Sequence, residues 1–380
     1  MLHYDYIISG AGASGMSLLY RMMQHDFFSD KQILVVDKAP KNTNDHTWCF
    51  WEKEADIFEP IVYHQWKDVH FYSNHFSGLL SLAPYQYKMI RSIDLYSFVL
   101  HEANRHSNVT FLYGTVSEMG NEQGKAFLIL DEKKLTAGFI FNSILFGTLT
   151  IPKGTHSLLQ HFKGWTIETD EPVFNTEEAT LMDFRICQQH GTTFMYVLPT
   201  ANNRALVEYT LFTEKLLLQE EYTVALKDYI QSVLKIANYI IVEEEFGVIP
   251  MTNIHFAKQV GNIVNMGTAG GQTKPSTGYT FKFIQKQCNE IVEALMNHQP
   301  FFKVTWNEKK FFWYDSVLLN VIVNNRMKGD EIFARMFRKN SASNVFRFLD
   351  NESSLVQDFS IINSLPKPPF LIAGLQEMFS

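Results

Sequence analysis

The chain has 380 residues, 46% of them hydrophobic and 19% charged, which suits an ordered globular protein with one large core shared by two lobes. A net charge of −7 argues against a dedicated nucleic-acid binder, which carries a basic face. Cys49, Cys187 and Cys288 stand singly, so they read as reduced thiols in a cytoplasmic protein and offer neither a disulfide framework nor a metal site.

Met1–Tyr6 runs into a strand without a basic stretch, so no secretory leader is expected. No run of 18 apolar residues predicts a membrane span. Tyr4–Ser9 is a short apolar strand that ends in Gly10-Ala11-Gly12-Ala13-Ser14-Gly15. Met16, Leu18, Leu19, Met22 and Met23 then give the apolar stripe of a helix, and Gln32–Asp37 reads as a second buried strand. Strand, glycine turn, helix and strand form one right-handed βαβ unit. Residues 42–90 are irregular and aromatic, as an inserted loop or small sheet would be. Asp94–Arg105 is read as helix, Val109–Tyr113 as strand and Ala126–Leu135 as a hairpin. Strands follow at Thr180–Ile186, Thr193–Leu198 and Ala205–Phe212. A long amphipathic helix is expected over Glu214–Ile236, strands at Ile240–Val248 and Asn262–Met266, and a helix over Thr277–Leu295. Residues 301–380 read as a helical, Phe-rich segment.

A lone GxGxxG is a weak signal, but this one follows a strand, opens a helix and precedes Asp37 at the end of the next strand. Gly10 permits the tight turn, Gly12 lets backbone approach a pyrophosphate, and Gly15 lets helix and strand pack closely. Ala11, Ala13 and Ser14 complete the turn, whose helix N-terminus favours phosphate. Asp37, with Lys38 beside it, is placed to meet a ribose diol. Far along the chain, Gly267-Thr268-Ala269-Gly270 and Thr277-Gly278-Tyr279 form a second small-residue turn before a helix. It resembles the strand–turn–helix that cradles the flavin in glutathione-reductase-like flavoproteins. Arg91 resembles the arginine that many of these carry near the cofactor, or else is a surface arginine. The expected fold is therefore α/β. A glutathione-reductase-like, Rossmann-type FAD-binding lobe (1–150 and 240–300) is interleaved with an antiparallel β-sheet substrate lobe (151–239) and followed by a helical C-terminus (301–380).

Five stretches carry a closer resemblance: Asp45-His46-Thr47-Trp48-Cys49-Phe50-Trp51, Tyr87–Asp94, Val207-Glu208-Tyr209-Thr210, Gly247-Val248-Ile249-Pro250-Met251 and Gly267–Phe281. In order and spread, the chain resembles the lycopene β-cyclases of bacterial carotenoid pathways. The resemblance implies closure of the linear ends of lycopene, an apolar C40 carotenoid, into β-rings without net oxidation. It further implies reduced FAD, NAD(P)H as electron source, and Glu208 as catalytic acid. Tyr209 stands where a second family acid often follows. Thr268 replaces the Asp usual in related hydroxylases, and Asn142-Ser143 replaces their Asp-Gly; both count against an oxygen-activating hydroxylase.

Protonating a terminal alkene creates a cation that water would quench, so the chemistry needs a dry pocket, a protonated carboxyl and electron-rich surroundings. Glu208 shares a strand face with Leu206, Thr210 and Phe212, a setting that raises a carboxyl pKa if buried; the plain alternative is a solvated strand carboxylate. A helix start at Ser276–Tyr279 would place its dipole by an anionic flavin. Asp45 and His46 stay open between pocket mouth and ordinary loop, and Trp48-Cys49-Phe50-Trp51 between pocket lining and loop staple. Phe301-Phe302, Phe311-Phe312-Trp313 and Phe333–Phe348 are either an interfacial surface for peripheral contact with the inner membrane face or buried helix faces. The competing functions are a flavin-dependent monooxygenase or prenyl-lipid reductase on another apolar substrate, and a non-catalytic carrier.

Overall fold

The computed structural model describes residues 3–147 and 149–378. β1 (His3–Ser9) turns at Gly10, whose φ of +97° only glycine adopts freely, into α1 (Ala13–Met23). A Cβ on Gly15 would sit 1.9 Å from the Gly10 carbonyl oxygen, so helix and strand meet at backbone contact. β2 (Ile33–Asp37) completes the unit. β3 (Thr47–Glu52), β4 (His64–Trp66), β5 (Asp68–Tyr72), β6 (Ser77–Ser81) and β7 (Gln86–Arg91) occupy the irregular aromatic stretch. Next come α2 (Ser92–Ala103), β8 (Val109–Tyr113), β9 (Val116–Glu122), β10 (Lys125–Leu130) and β11 (Lys133–Asn142).

The second half opens with β12 (Ser157–Glu168), β13 (Glu178–Asp183), β14 (Thr192–Ala201) and β15 (Arg204–Thr213), then α3 (Gln219–Ser232). β16 (Ile240–Thr252), β17 (Gln259–Val260) and β18 (Ile263–Asn265) lead to α4 (Phe281–Met296). The chain finishes with α5 (Trp306–Val323), α6 (Gly329–Lys339), α7 (Ala342–Leu349), α8 (Leu355–Ser364) and α9 (Lys367–Met378).

The first sheet runs β17-β18-β11-β1-β2-β8, with β1 parallel to both neighbours. Its Tyr6 and Ile8 face packs on α1, α2 and α4, including Ile284, Cys288, Ile291 and Val292 of the apolar face foreseen for α4. Ile7 packs with the β9–β10 side instead. The second sheet runs β16-β12-β15-β14-β13-β5-β6, and its two faces separate by residue parity. In β12, β14 and β15 odd residues such as Trp165, Met195, Val207 and Leu211 pack on Tyr222, Leu226, Tyr229 and Ile230 of α3. Even residues such as Phe194, Leu198, Leu206 and Phe212 turn inward toward β3, β7 and the C-terminal helices.

Several expected boundaries move. Residues 68–81 and 240–252 pair into the second sheet, although they fall inside the ranges expected for the FAD lobe; the long strand β16 is held by β12 along its length. α3 is shorter than Glu214–Ile236, with Leu218 as its N-cap. α4 starts at Phe281 rather than Thr277, because Gly278 takes φ +72°, incompatible with a right-handed helix. Phe301, Phe311, Phe333, Phe337, Phe346 and Phe348 are buried, so they build core and not an interfacial surface. Exposed apolar residues of the helical region include Trp306 and Trp313 on α5, Leu355, Val356 and Phe359 on α8, and Leu371 and Leu375 on α9.

Candidate active site

Two turns form a cradle along the carboxyl ends of the first sheet. Gly10 N–H donates to the Val36 carbonyl (2.8 Å) and Ala11 N–H to Asp37 Oδ2 (2.6 Å). Asp37 Oδ1 lies 3.6 Å from Lys41 Nζ, whereas Lys38 is exposed on the loop beyond. α1 has no side-chain cap and no acid in its first turn, so its first N–H groups at Ala13, Ser14 and Gly15 are open to an anion. A Cβ on Gly12 would meet nothing within 4 Å; room lies in front of the turn. The second turn joins the first, since a Cβ on Gly267 would fall 2.3 Å from Ser14 Oγ. Thr268–Gly270 continue as one tight turn closed by Gly270 N–H to the Met266 carbonyl (3.0 Å).

The loop that follows is anchored from α5. Lys274 Nζ donates to Asp315 (2.9 Å) and to Asn351 (2.7 Å), and Ser276 Oγ donates to Asp315 (2.6 Å). This holds Thr277 and Gly278 against β12, where a Cβ on Gly278 would come 1.9 Å from Gln160 Oε1. Thr277 Oγ1 and Gln160 Oε1 are buried with no partner. Two orphaned polar atoms beside an open glycine cradle fit a polar cofactor that would satisfy them. Arg91, at the N-cap of α2, grips Asp94 with two hydrogen bonds (2.7 and 2.9 Å) and lies over the Tyr63 ring. It also pairs across β3 with Thr47. Asp45 and His46 are exposed, and their N–H groups are tied to Ser92 Oγ. Trp48 and Phe50 stack on Phe281, and Trp51 stacks on Phe346 and meets Tyr279 edge-on.

The inner face of the second sheet carries the acid. Register places Tyr196, Glu208, Gly164 and Glu245 in one line across β14, β15, β12 and β16. Thr210 Oγ1 donates to Glu208 Oε1 (2.7 Å). Burial pushes the Glu208 carboxyl well above its ordinary range, and the neighbouring Glu245 charge pushes it further. Burial also raises Glu245, while Thr47 and Glu208 hydrogen-bond to it and pull it back. The Tyr196 and Tyr279 hydroxyls hydrogen-bond to each other, and burial pushes that of Tyr279 up to about 12. Cys49 and Tyr87 complete the surroundings, both raised by burial first. Cys49, Glu208, Glu245 and Tyr279 keep part of their surface uncovered although burial dominates the ionisation of each. Glu208 is half-buried on the inner face of the sheet, level with Leu206 and Phe212.

Tyr279, expected at the cofactor, thus reaches Tyr196, the cross-strand neighbour of Glu208, and links the two halves of the site. Tyr209 points the opposite way, into the α3 core, because neighbouring strand residues alternate faces. Sequence reasoning missed Glu245, Tyr196 and Tyr87. Glu245 ends an acidic run, Glu243-Glu244-Glu245, that looks solvated, and only the pairing of β16 with β12 turns it inward.

A dinucleotide-type lobe joined to a sheet whose inner face carries a carboxyl with a raised pKa defines an enzyme built on a flavoprotein fold. Solved structures of the same fold include a flavoprotein/dehydrogenase from Cytophaga hutchinsonii (13% identical, TM-score 0.64, 99% of each chain covered). Another is a geranylgeranyl bacteriochlorophyll reductase-like protein from Thermoplasma acidophilum (11%, TM-score 0.61, 97% of this chain and 96% of that one). The family model described as "Lycopene cyclase protein" matches residues 5–373, and the chain belongs to that family. It is 24% identical over 342 residues to the lycopene beta-cyclase of Pantoea ananas, covering 82% of this chain and 81% of the relative. To that of Pseudescherichia vulneris it is 22% identical over 329 residues, covering 81% and 80%.

Proposed function

We propose that this chain is a lycopene β-cyclase that binds FAD and closes the ψ-ends of lycopene into β-rings by acid–base chemistry with no net redox change. The observation that carries the reading is Glu208: a carboxyl whose pKa is raised by burial, on the inner sheet face beside Tyr196, which reaches Tyr279 of the cofactor loop. FAD would be held by Gly10–Gly15 and Asp37 at one end and by Gly267–Gly270 and Thr277–Tyr279 at the other. Bound in its reduced form, with NAD(P)H as electron source, it would supply negative charge near the developing cation.

Glu208 is the proton donor to the terminal double bond. Burial raises its pKa and favours the neutral acid until substrate arrives, and the cation it generates would have to be kept from water. The rings of Tyr196, Tyr279 and Trp51 offer electron-rich faces to positive carbon. Loss of a ring proton returns the charge balance, so nothing is consumed. The exposed apolar residues of α8 and α9 support peripheral contact with a lipid surface, where so apolar a substrate resides. No helix among the described residues is long and apolar enough to cross a membrane.

Expression in a lycopene-accumulating host, with pigment analysis, tests the reading. Monocyclic or bicyclic β-ring product is the expected outcome. Lycopene left unchanged beside abundant folded flavoprotein refutes it, and product formed with stoichiometric NAD(P)H consumption points to a reductase or monooxygenase instead.

A further inference from the structure

The line Tyr196–Glu208–Gly164–Glu245 holds a second carboxyl that the cyclisation described above does not use. Gly164 lies between the two glutamates, paired with both. A Cβ there would come 3.1 Å from Glu245 Cγ and 3.0 Å from Leu206 Cδ1, so any side chain would intrude on the space over which the acids face each other. Each acid has its own threonine: Thr210 holds Glu208 from within β15, and Thr47 holds Glu245 from β3. The two carboxyls hydrogen-bond to each other, so they share a proton.

We propose that Glu208 and Glu245 work as one carboxyl dyad carrying a single proton across the gap above Gly164. Glu208 delivers that proton to the substrate alkene, and Glu245 holds negative charge beside the cation and takes the proton the new ring loses. A C–H bond forms at the terminal alkene carbon as its π pair takes the proton. The second double bond supplies the pair for the ring C–C bond, and the pair of a neighbouring C–H bond becomes the new ring double bond. The released proton passes from Glu245 to Glu208 along their hydrogen bond and restores the starting state. Two carboxylates this close do not both ionise in the free site, so the pair titrates as a unit, and during the reaction the substrate cation balances the second negative charge. The other charged groups nearby are engaged elsewhere. Glu243 is bound by Arg204 (3.1 Å) and Asn44 (3.0 Å), and Glu244 by Lys163 (3.3 Å) and Trp165 (2.7 Å). Cys49, Tyr87, Tyr196 and Tyr279 are held neutral by burial.

The proposal rests on the cyclase reading, and its test separates the two. Full-length flavin-loaded Glu245→Gln, Glu245→Asp and Glu208→Gln proteins are compared for cyclisation rate against pH and for the infrared band of a protonated buried carboxyl. Glu245→Gln is expected to lose about 10²-fold in rate or more, and its alkaline limb moves to lower pH because the charge that raises Glu208 is gone. Glu245→Asp recovers part of the rate. The carboxyl band disappears in Glu208→Gln and shifts in Glu245→Gln, with flavin absorbance unchanged in both. A wild-type rate and an unmoved alkaline limb in Glu245→Gln overturn the dyad, as does a band indifferent to residue 245. If the band behaves as expected while the wild type cyclises nothing, the dyad stands and the cyclase reading falls. Should Glu245→Gln fail to fold, the alkaline limb and band of Glu245→Asp decide in the same sense.

Discussion

Replacing Lys274 by Met tests whether the flavin-side loop is held from the helical segment. Lys274 and Asp315 are almost fully buried and 2.9 Å apart. Their attraction is about 6 kcal/mol at an effective dielectric of roughly 20, but desolvating each ion costs several kcal/mol, so the intact pair adds little net stability. Breaking it is another matter. Lys274→Met leaves the Asp315 carboxylate with Ser276 Oγ as its remaining hydrogen-bond partner in the cluster, and an orphaned buried charge of this kind costs about 3–5 kcal/mol. Urea unfolding near neutral pH should show that loss. Lys274→Met/Asp315→Asn should recover a large part of it. Retained flavin should fall with the single variant, since Thr277 and Gly278 lose their anchor. A single variant within about 1 kcal/mol of wild type, or a double variant no better than the single, would refute the reasoning.

Glu208→Gln should reduce cyclisation by about 10²–10⁴-fold while stabilising the fold at alkaline pH. The native Glu208 keeps a proton that the unfolded chain releases, so wild-type stability is complete below the usual 4.5 and declines as pH rises toward the folded value, by about 1.4 kcal/mol per unit; melting curves across pH check the loss of that slope. Gly15→Ala puts a methyl 1.9 Å from the Gly10 carbonyl oxygen, and about 1–3 kcal/mol of overpacking strain together with weakened flavin retention is expected in equilibrium dialysis. Val356→Glu with Phe359→Glu changes two residues of α8 that are 81% and 67% exposed. Vesicle flotation should drop while melting temperature stays put, and unchanged flotation would remove α8 from the lipid-facing surface.

Local patterns were sufficient for much of the architecture. The βαβ unit, the glycine turn and Asp37 lie within one short stretch, where spacing and residue type act on adjacent backbone. The apolar face of α4 and the strands β8, β14 and β15 follow from periodicity of 3.6 or 2. Lys38 shows the limit of that logic, since sitting next to a placed residue does not bring a side chain to the turn. The Phe clusters show another. Aromatic density near the C-terminus is compatible with lipid contact or core, and burial of Phe311, Phe333 and Phe346 settled it as core.

The chain's own order of residues was enough to specify a phosphate-binding turn, a second small-residue turn and the strand carrying Glu208, because each is set by neighbours a few positions away. The assembly of Glu208 with Glu245, Tyr196, Tyr279 and Thr47 was decided only by tertiary structure. These residues sit on five separate segments, and a strand's partner and register depend on which faces the whole fold can bury. A shift of one residue in β16 would turn Glu245 to the α3 face and leave Glu208 alone.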